Sequence, residues 1–315
     1  MNIVVIDGYT LNPGDLSWKG IEQYGKLTVY ERTPVADVVA RCTHADIVLT
    51  NKVPFDKNAI DHLPRLKLIS VTATGYNIID VAAASEKGIM VCNVPAYGTA
   101  SVAQHTFALI LELTNHTGTH AHSVAQGEWE TCKDFAYTKT PLMELAGKTL
   151  GIVGFGNIGR QVAHIASAFG MQVIYNSASR KDTAIAQYAD LKTLFAESDI
   201  VSLHCPLRPD NYHFVNQSLL QLMKPSAFLI NTARGQLINE QDLANSLNNG
   251  IIAGAGLDVL SAEPPPSSNP LLKAKSCTIT PHIAWITKEA RERIMDTTIK
   301  NIAAFLKGKV VNRVN

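Results

Sequence analysis

Leu150-Gly-Ile-Val-Gly154-Phe-Gly156-Asn-Ile-Gly159 is the stretch on which the fold turns. An apolar run ends directly on Gly-x-Gly-x-x-Gly. Arg160 to Phe169 then repeats Val162, Ile165, Ala166 and Phe169 at helical spacing. A strand, a glycine turn and a helix in that order make a phosphate-binding turn. The first glycine permits the tight bend, and the second lets backbone approach a pyrophosphate. The third lets helix and strand pack closely, and free N–H groups at the helix start face the phosphates. Gly154, Gly156 and Gly159 are therefore read as dinucleotide-binding. A bare strand-to-helix turn is the alternative, and the flanking periodicity argues against it.

Outward from this turn, short apolar runs alternate with helical patterns. Towards the N-terminus lie Ile3–Ile6, Leu27–Val29, Ile47–Leu49, Leu68–Val71 and Met90–Cys92. Towards the C-terminus lie Val173–Tyr175, Ile200–Leu203, Phe228–Asn231, Ala255–Asp258 and Thr278–Thr280. Such alternation indicates doubly wound, mainly parallel sheets of the α/β class. A long helix is expected from near Ser101, its N-cap, and a last helix over Glu289–Leu306. The series restarting at Thr149 reads as a second domain inserted into the first. The expected division is 1–99 with 287–315, and 100–286. That the tail packs back on the first domain is left open by composition alone.

Composition narrows the function classes. Among 315 residues, 46% are hydrophobic and 17% charged, enough apolar material for a real core. With 28 basic and 27 acidic residues the net charge is +1, which gives no electrostatic case for nucleic acid or a membrane surface. No run nears the roughly 18 apolar residues of a membrane span. The N-terminus reads as a strand, not a signal peptide. Cys42, Cys92, Cys132, Cys205 and Cys277 are odd in number and widely spaced. Reduced thiols in a cytoplasmic protein fit them better than disulfides or zinc.

In the region where the next strand ends, Ser177 stands where an acidic ribose ligand is expected, and Ala178-Ser-Arg180-Lys follows. Hydroxyls and a guanidinium suit a 2′-phosphate, so NADP is favoured, with NAD as the alternative. Arg234, Glu263 and His282 each follow a predicted strand, where open α/β sheets bind ligands. A histidine can give a proton to a developing alkoxide. A carboxylate beside it steadies the imidazolium, and arginine grips a carboxylate or keto oxygen. Singly, each is as readily a loop residue; jointly they suit reduction of a 2-keto acid. His116, His120 and His122 lie near the end of the long helix, where positions 116 and 120 share a helical face as metal ligands could, but no acidic or cysteine partner completes a signature. No metal is expected.

Together these segments resemble the D-isomer-specific 2-hydroxyacid dehydrogenase family over essentially the whole chain. The likeness rests on the glycine loop, Ala73-Thr-Gly-Tyr-Asn77, Ser101-Val-Ala-Gln104, Asn231-Thr-Ala-Arg-Gly235, Gly256-Leu-Asp-Val259 with Glu263, and Pro281-His282. Asp7-Gly-Tyr-Thr-Leu-Asn12 and the segment through Trp285 are most similar to the glycerate dehydrogenase (hydroxypyruvate reductase) branch. The resemblance implies two Rossmann-like domains with the active-site cleft between them. It implies His282 as general acid/base, Glu263 as its partner and Arg234 as the substrate-binding cation. It further implies Gly75 and Tyr76 at the substrate carboxylate, and Thr74, Asn157, Ile158, Cys205, Thr232, Ala233 and Asp258 along the cofactor, beside Ser177 and Arg180. A homodimer is implied, which the helix from Ser101 would serve. Trp285 departs from the small residue of many members and would narrow the substrate pocket or cover the nicotinamide. Hydroxypyruvate or glyoxylate is the expected substrate. A dinucleotide-sensing corepressor of the same fold and a sister enzyme for bulkier keto acids are the alternatives.

Overall fold

A computed structural model describes residues 1–315 as two compact units. One comprises Met1–Gly98 and Trp285–Asn315, the other Thr99–Ala284. The chain thus passes between units after Gly98 and again after Ala284, so Trp285 and Ile286 belong to the first unit and not, as expected, to the second. Packing accounts for this: the Trp285 ring meets Tyr97 edge-on, with centroids 6.2 Å apart, inside the first unit.

The first unit is built on strands β1 (Asn2–Val5), β2 (Lys26–Val29), β3 (Ile47–Thr50), β4 (Leu68–Val71) and β5 (Met90–Cys92). They form one parallel sheet in the order β2-β1-β3-β4-β5. Side chains alternate between faces, and both faces are covered. Val4, Val48 and Ile69 enter one core. Ile3, Ile47 and Leu68 enter the other, with Ile294 and Ile302 of the C-terminal helix Lys288–Leu306. That helix is pinned at its start by Arg291, which donates to both oxygens of Asp15 at 2.6 and 2.7 Å and to the Leu11 carbonyl. Beyond the helix, the tail runs antiparallel along β5, with Arg313 opposite Cys92 and Val314 N–H donating to the Val91 carbonyl. This covers a sheet edge that would otherwise be open.

The second unit contains β6 (Thr149–Val153), β7 (Gln172–Asn176), β8 (Gln187–Tyr188), β9 (Ile200–Leu203), β10 (Phe228–Asn231), β11 (Gly254–Leu257) and β12 (Cys277–Ile279). All pairs are parallel, in the order β12-β11-β10-β9-β6-β7-β8. The order reverses between β9 and β6, and ligands of open sheets bind outside the carboxyl ends at such a point. One core, with Leu150, Ile152, Ile200 and Ile230, packs on helices Thr99–Asn115 and Asn157–Ala168. The other, with Val201, Leu229 and Leu257, packs on Leu191–Glu197 and Glu240–Asn248.

Two sequence expectations shift. Ser101 is not the N-cap of the long helix, which begins at Thr99; its hydroxyl donates to the Ala284 carbonyl at 2.6 Å. The helix also ends at Asn115, because His116 turns into the left-handed region at φ 47°, and a second helix spans Thr117–Ala125. His116 and His120 therefore do not share one continuous helix face. Both ring nitrogens of His120 are engaged by main chain, Nδ1 with the His116 carbonyl and Nε2 with the Lys139 N–H. All five cysteines are unpaired, and no helix is long and apolar enough to cross a membrane.

Candidate active site

The carboxyl edge of the seven-stranded sheet gathers most of the residues singled out from sequence. Across the sheet, His282 follows β12, Glu263 follows β11, Arg234 follows β10 and Cys205 follows β9. Gly154 then follows β6 and Ser177 follows β7.

The three glycines divide their work as their spacing suggests. Gly154 has φ +99°, and a Cβ there would lie 2.4 Å from the Cys205 nitrogen and 2.5 Å from the His204 carbonyl carbon. A Cβ on Gly159 would lie 2.2 Å from the Gly154 oxygen, so the helix can approach the turn only without one. Gly156 is different: a Cβ there meets nothing within 4 Å. It is the residue before helix Asn157–Ala168, is exposed, and has Asn157 exposed beside it. The first amides of a helix have no partner within it. A bare glycine with open space over a helix start is a cradle that fits a dinucleotide pyrophosphate. The two kinds of glycine can be separated by experiment. Gly156→Ala is expected to leave the unfolding midpoint within about 2 °C of wild type yet raise the dinucleotide Kd by about tenfold, about 1.4 kcal/mol. Gly154→Ala is expected to cost about 2–5 kcal/mol through its positive φ and its backbone clash. Calorimetric titration and thermal melts check both. Unchanged dinucleotide affinity in Gly156→Ala would exclude the cradle.

Phe155 is buried under the turn and stacks on Tyr175 at 4.2 Å. Tyr175 in turn stitches the loop after β7, exchanging hydrogen bonds with the Lys181 N–H and carbonyl. In that loop Ser177 donates to the Ser179 carbonyl at 2.6 Å, and Lys181 Nζ donates to Ser179 Oγ. Arg180 lies over the Tyr188 ring, 4.6 Å from its centroid. An aromatic shelf thus holds a guanidinium close to the strand end.

At β9, burial pushes the His204 imidazole down to about 3, and its Nε2 pairs with Ser202 Oγ at 2.8 Å. Burial likewise raises the Cys205 thiol to about 11, leaving a neutral, apolar wall. After β10, Asn231 shapes the turn: its side chain accepts from the Ala233 N–H and donates to the Arg234 carbonyl. Arg234 Nη1 donates to the Ala233 carbonyl, with its remaining donors available to a ligand. Thr232 is nearly buried, its hydroxyl paired with Thr106 at 3.1 Å.

His282 and Glu263 meet directly. His282 Nδ1 is 2.6 Å from Glu263 Oε2, and Glu263 Oε1 accepts the Leu260 N–H at 3.1 Å. His282 sits at φ 56°, a conformation that costs about 1–3 kcal/mol and persists only where surroundings impose it. The imposing group is Asp258. Its carboxylate accepts the Ile283 and Ala284 N–H groups, both at 2.8 Å, and the Thr280 hydroxyl at 2.6 Å. Its carbonyl accepts the His282 N–H at 2.9 Å. His105, on the long helix, lies 2.9 Å from Thr280 Oγ1 and 3.4 Å from Asp258 Oδ1. Burial alone would raise the Asp258 carboxyl. The bonds from His105, Thr280 and the Ala284 and Ile283 amides outweigh it and hold the group below the usual carboxylate range. Asp258 was singled out from sequence for the cofactor. In the structure its carboxylate is buried and spent on the turn that carries His282. His105 and this clamp were missed, because nothing local to the chain joins helix position 105 to a loop near 280.

In the first unit, Thr74, Gly75 and Tyr76 lie in the loop after β4. Thr74 Oγ1 donates to the Val94 carbonyl, and Asn93 donates back to the Thr74 carbonyl. Gly75 is half-buried and Tyr76 exposed at the crest. The loop after β3 is held by Asp7, which accepts the Asn51, Lys52 and Val53 N–H groups; burial raises its carboxyl despite them. Trp285 is half-buried against the core of this unit.

Known proteins show the same organisation. The family model for the D-isomer specific 2-hydroxyacid dehydrogenase NAD-binding domain matches residues 107–284. A hydroxypyruvate reductase of Blautia hydrogenotrophica is 47% identical over 321 aligned residues, covering 100% of both chains. A glycerate dehydrogenase of Methylorubrum extorquens is 40% identical over 280 residues, 88% of each chain. Among solved structures, an acyclic imino acid reductase in complex with NADPH and D-Arg is 35% identical with a TM-score of 0.89 over 100% of both chains. D-2-hydroxyisocaproate dehydrogenase is 25% identical with a TM-score of 0.86 over 100% of this chain and 99% of its own. The chain belongs to the D-isomer specific 2-hydroxyacid dehydrogenases, a family of NAD-dependent oxidoreductases.

Proposed function

We propose that the protein reduces a small 2-keto acid, hydroxypyruvate or glyoxylate, to the D-2-hydroxy acid, with NADPH preferred over NADH. The observation that carries this reading is the 2.6 Å contact between His282 Nδ1 and Glu263, on the sheet edge that also bears the glycine cradle. With Nδ1–H given to the carboxylate, Nε2 is the nitrogen left to deliver a proton to the carbonyl oxygen. Glu263 fixes the ring's tautomer and orientation. Arg234 binds the keto acid and polarises its carbonyl, and Gly75 and Tyr76 hold the carboxylate with Trp285 limiting substrate size. The bound nicotinamide supplies the hydride. Gly154, Gly156, Asn157, Ile158 and Gly159 would hold its pyrophosphate, with Thr74, Cys205, Thr232, Ala233 and the Asp258 turn along the rest. The names of the two curated relatives support the substrate class. Ser177 and the shelved Arg180 support the 2′-phosphate, as does the NADPH in the imino acid reductase structure. A homodimer accords with the exposed Phe135 and Trp129 in the second unit.

The reading is tested by kcat/KM for glyoxylate, hydroxypyruvate and 4-methyl-2-oxopentanoate with each cofactor. The small acids are expected to exceed the branched one by about tenfold or more. Ser177→Asp with Arg180→Ala is expected to move the NADPH-to-NADH ratio by about tenfold towards NADH, since a carboxylate repels the 2′-phosphate and accepts from a 2′-hydroxyl. A wild type that prefers NADH, or a ratio that the double variant leaves in place, would reject the cofactor assignment.

A further inference from the structure

We infer that Glu240 is a positioning residue for the Glu263–His282 pair, acting through the loop that carries Glu263; the inference rests on the proposed role of that pair. The loop runs from Leu260 to Asn269 and is mostly proline, serine and exposed residues. From Ala262 to Ser268 no residue is buried, so apolar packing does not fix where Glu263 stands. Polar ties hold the loop, and three of them converge on one carboxylate. Glu240 Oε1 accepts the Ser261 N–H at 2.7 Å. Glu240 Oε2 accepts the Ser261 hydroxyl at 2.7 Å and the Asn269 side-chain amide at 2.9 Å. Both ends of the loop are thereby closed on a single side chain.

The surroundings make this a register device. Glu240 opens helix Glu240–Asn248, itself capped by Asn239, so the carboxylate is presented from a rigid element. Gln236 Nε2 donates to the Ser261 carbonyl at 2.9 Å, and Gly235 packs so closely that a Cβ would lie 1.9 Å from the Leu260 carbonyl carbon. From that fixed start, the Leu260 N–H reaches Glu263 Oε1 at 3.1 Å, and Glu263 Oε2 reaches His282. The chain of contacts runs Glu240, Ser261, Leu260, Glu263, His282. Asp258 fixes the histidine side of the pair, and Glu240 fixes the carboxylate side. A carboxylate is needed because four lone-pair sites must serve three donors from two directions. Glutamine would keep one oxygen and set its NH2 against either the Ser261 N–H or the Asn269 amide.

The test uses the intact protein and two readouts. In wild type, the Nδ1 proton of His282, shared with Glu263, is expected as a slowly exchanging downfield proton resonance, assigned by its absence in His282→Gln. Glu240→Ala is expected to abolish or broaden that resonance, and Glu240→Gln to weaken it, in folded protein. In turnover, Glu240→Ala is expected to lower kcat about tenfold while KM changes less than about twofold. Added to Glu263→Gln, it should cost little more, because it acts through the same group. The positioning role is overturned if the resonance persists unchanged in Glu240→Ala, or if the two substitutions reduce kcat additively. Should Glu240→Ala fail to fold, Glu240→Gln decides by the same criteria. The resonance needs no substrate, so it tests Glu240 even if hydroxypyruvate is not turned over.

Discussion

His282→Ala is expected to lower kcat for keto-acid reduction by about 10²–10⁴, the usual worth of a positioned general acid, while the NADPH Kd stays within about twofold. The split follows from placement. His282 stands beyond β12, and the glycine cradle follows β6, with the three strands β11, β10 and β9 between them. Removing the imidazole deletes the proposed proton donor but no group of the cradle. Glu263→Gln should cost less, about 10–100-fold, since the imidazole remains but loses the carboxylate that orients it at 2.6 Å. Steady-state kinetics with calorimetric NADPH titration on the same preparations check both. Turnover in His282→Ala within threefold of wild type would remove the residue from the mechanism.

Asp258→Asn is expected to destabilise the protein by about 2–4 kcal/mol and to lower activity with it. Asp258 is almost fully buried, and each of its oxygens receives a main-chain amide. Asparagine can accept at one oxygen only, and its NH2 would face the other amide, leaving a buried donor unsatisfied. The turn would then relax from the left-handed conformation of His282, which carries the imidazole away from Glu263. The pH dependence has a definite sign. The folded-state carboxyl is held below its ordinary value of 3.8, so its contribution is fully present above that value. It is lost as pH falls through the lowered one. The stability gap between wild type and Asp258→Asn should therefore be largest near neutrality and narrow below about pH 4. Urea unfolding across that range measures it, and a gap that widens in acid would contradict the assignment.

What could be read from the sequence was whatever a local pattern encodes. The turn at Gly154–Gly159 is legible because its strand, glycines and helix are contiguous. Arg234, Glu263 and His282 are legible as residues just past strand ends. That Glu263 and His282 touch depends on β11 and β12 being neighbours, which alternation alone does not supply. Asp258 is a polar residue at a strand end like several others; its clamp needs Thr280, Ile283 and Ala284 folded round it. The pairing of Arg313 with Cys92 joins positions far apart in the chain and has no local pattern. The break at His116 rests on one residue's φ in an otherwise helical stretch, so the pattern reads straight through it. Strand β8 is two residues long and too short to show alternation.

The most direct test of the account is turnover of hydroxypyruvate by the wild-type protein with NADPH, following absorbance at 340 nm and the chirality of the product together. The account predicts one NADPH consumed per D-glycerate formed, with the rate lowered by about 10²–10⁴ in His282→Ala although NADPH still binds. NADPH binding with no turnover of hydroxypyruvate, glyoxylate or any larger 2-keto acid would contradict it and mark the fold here as a dinucleotide-binding module.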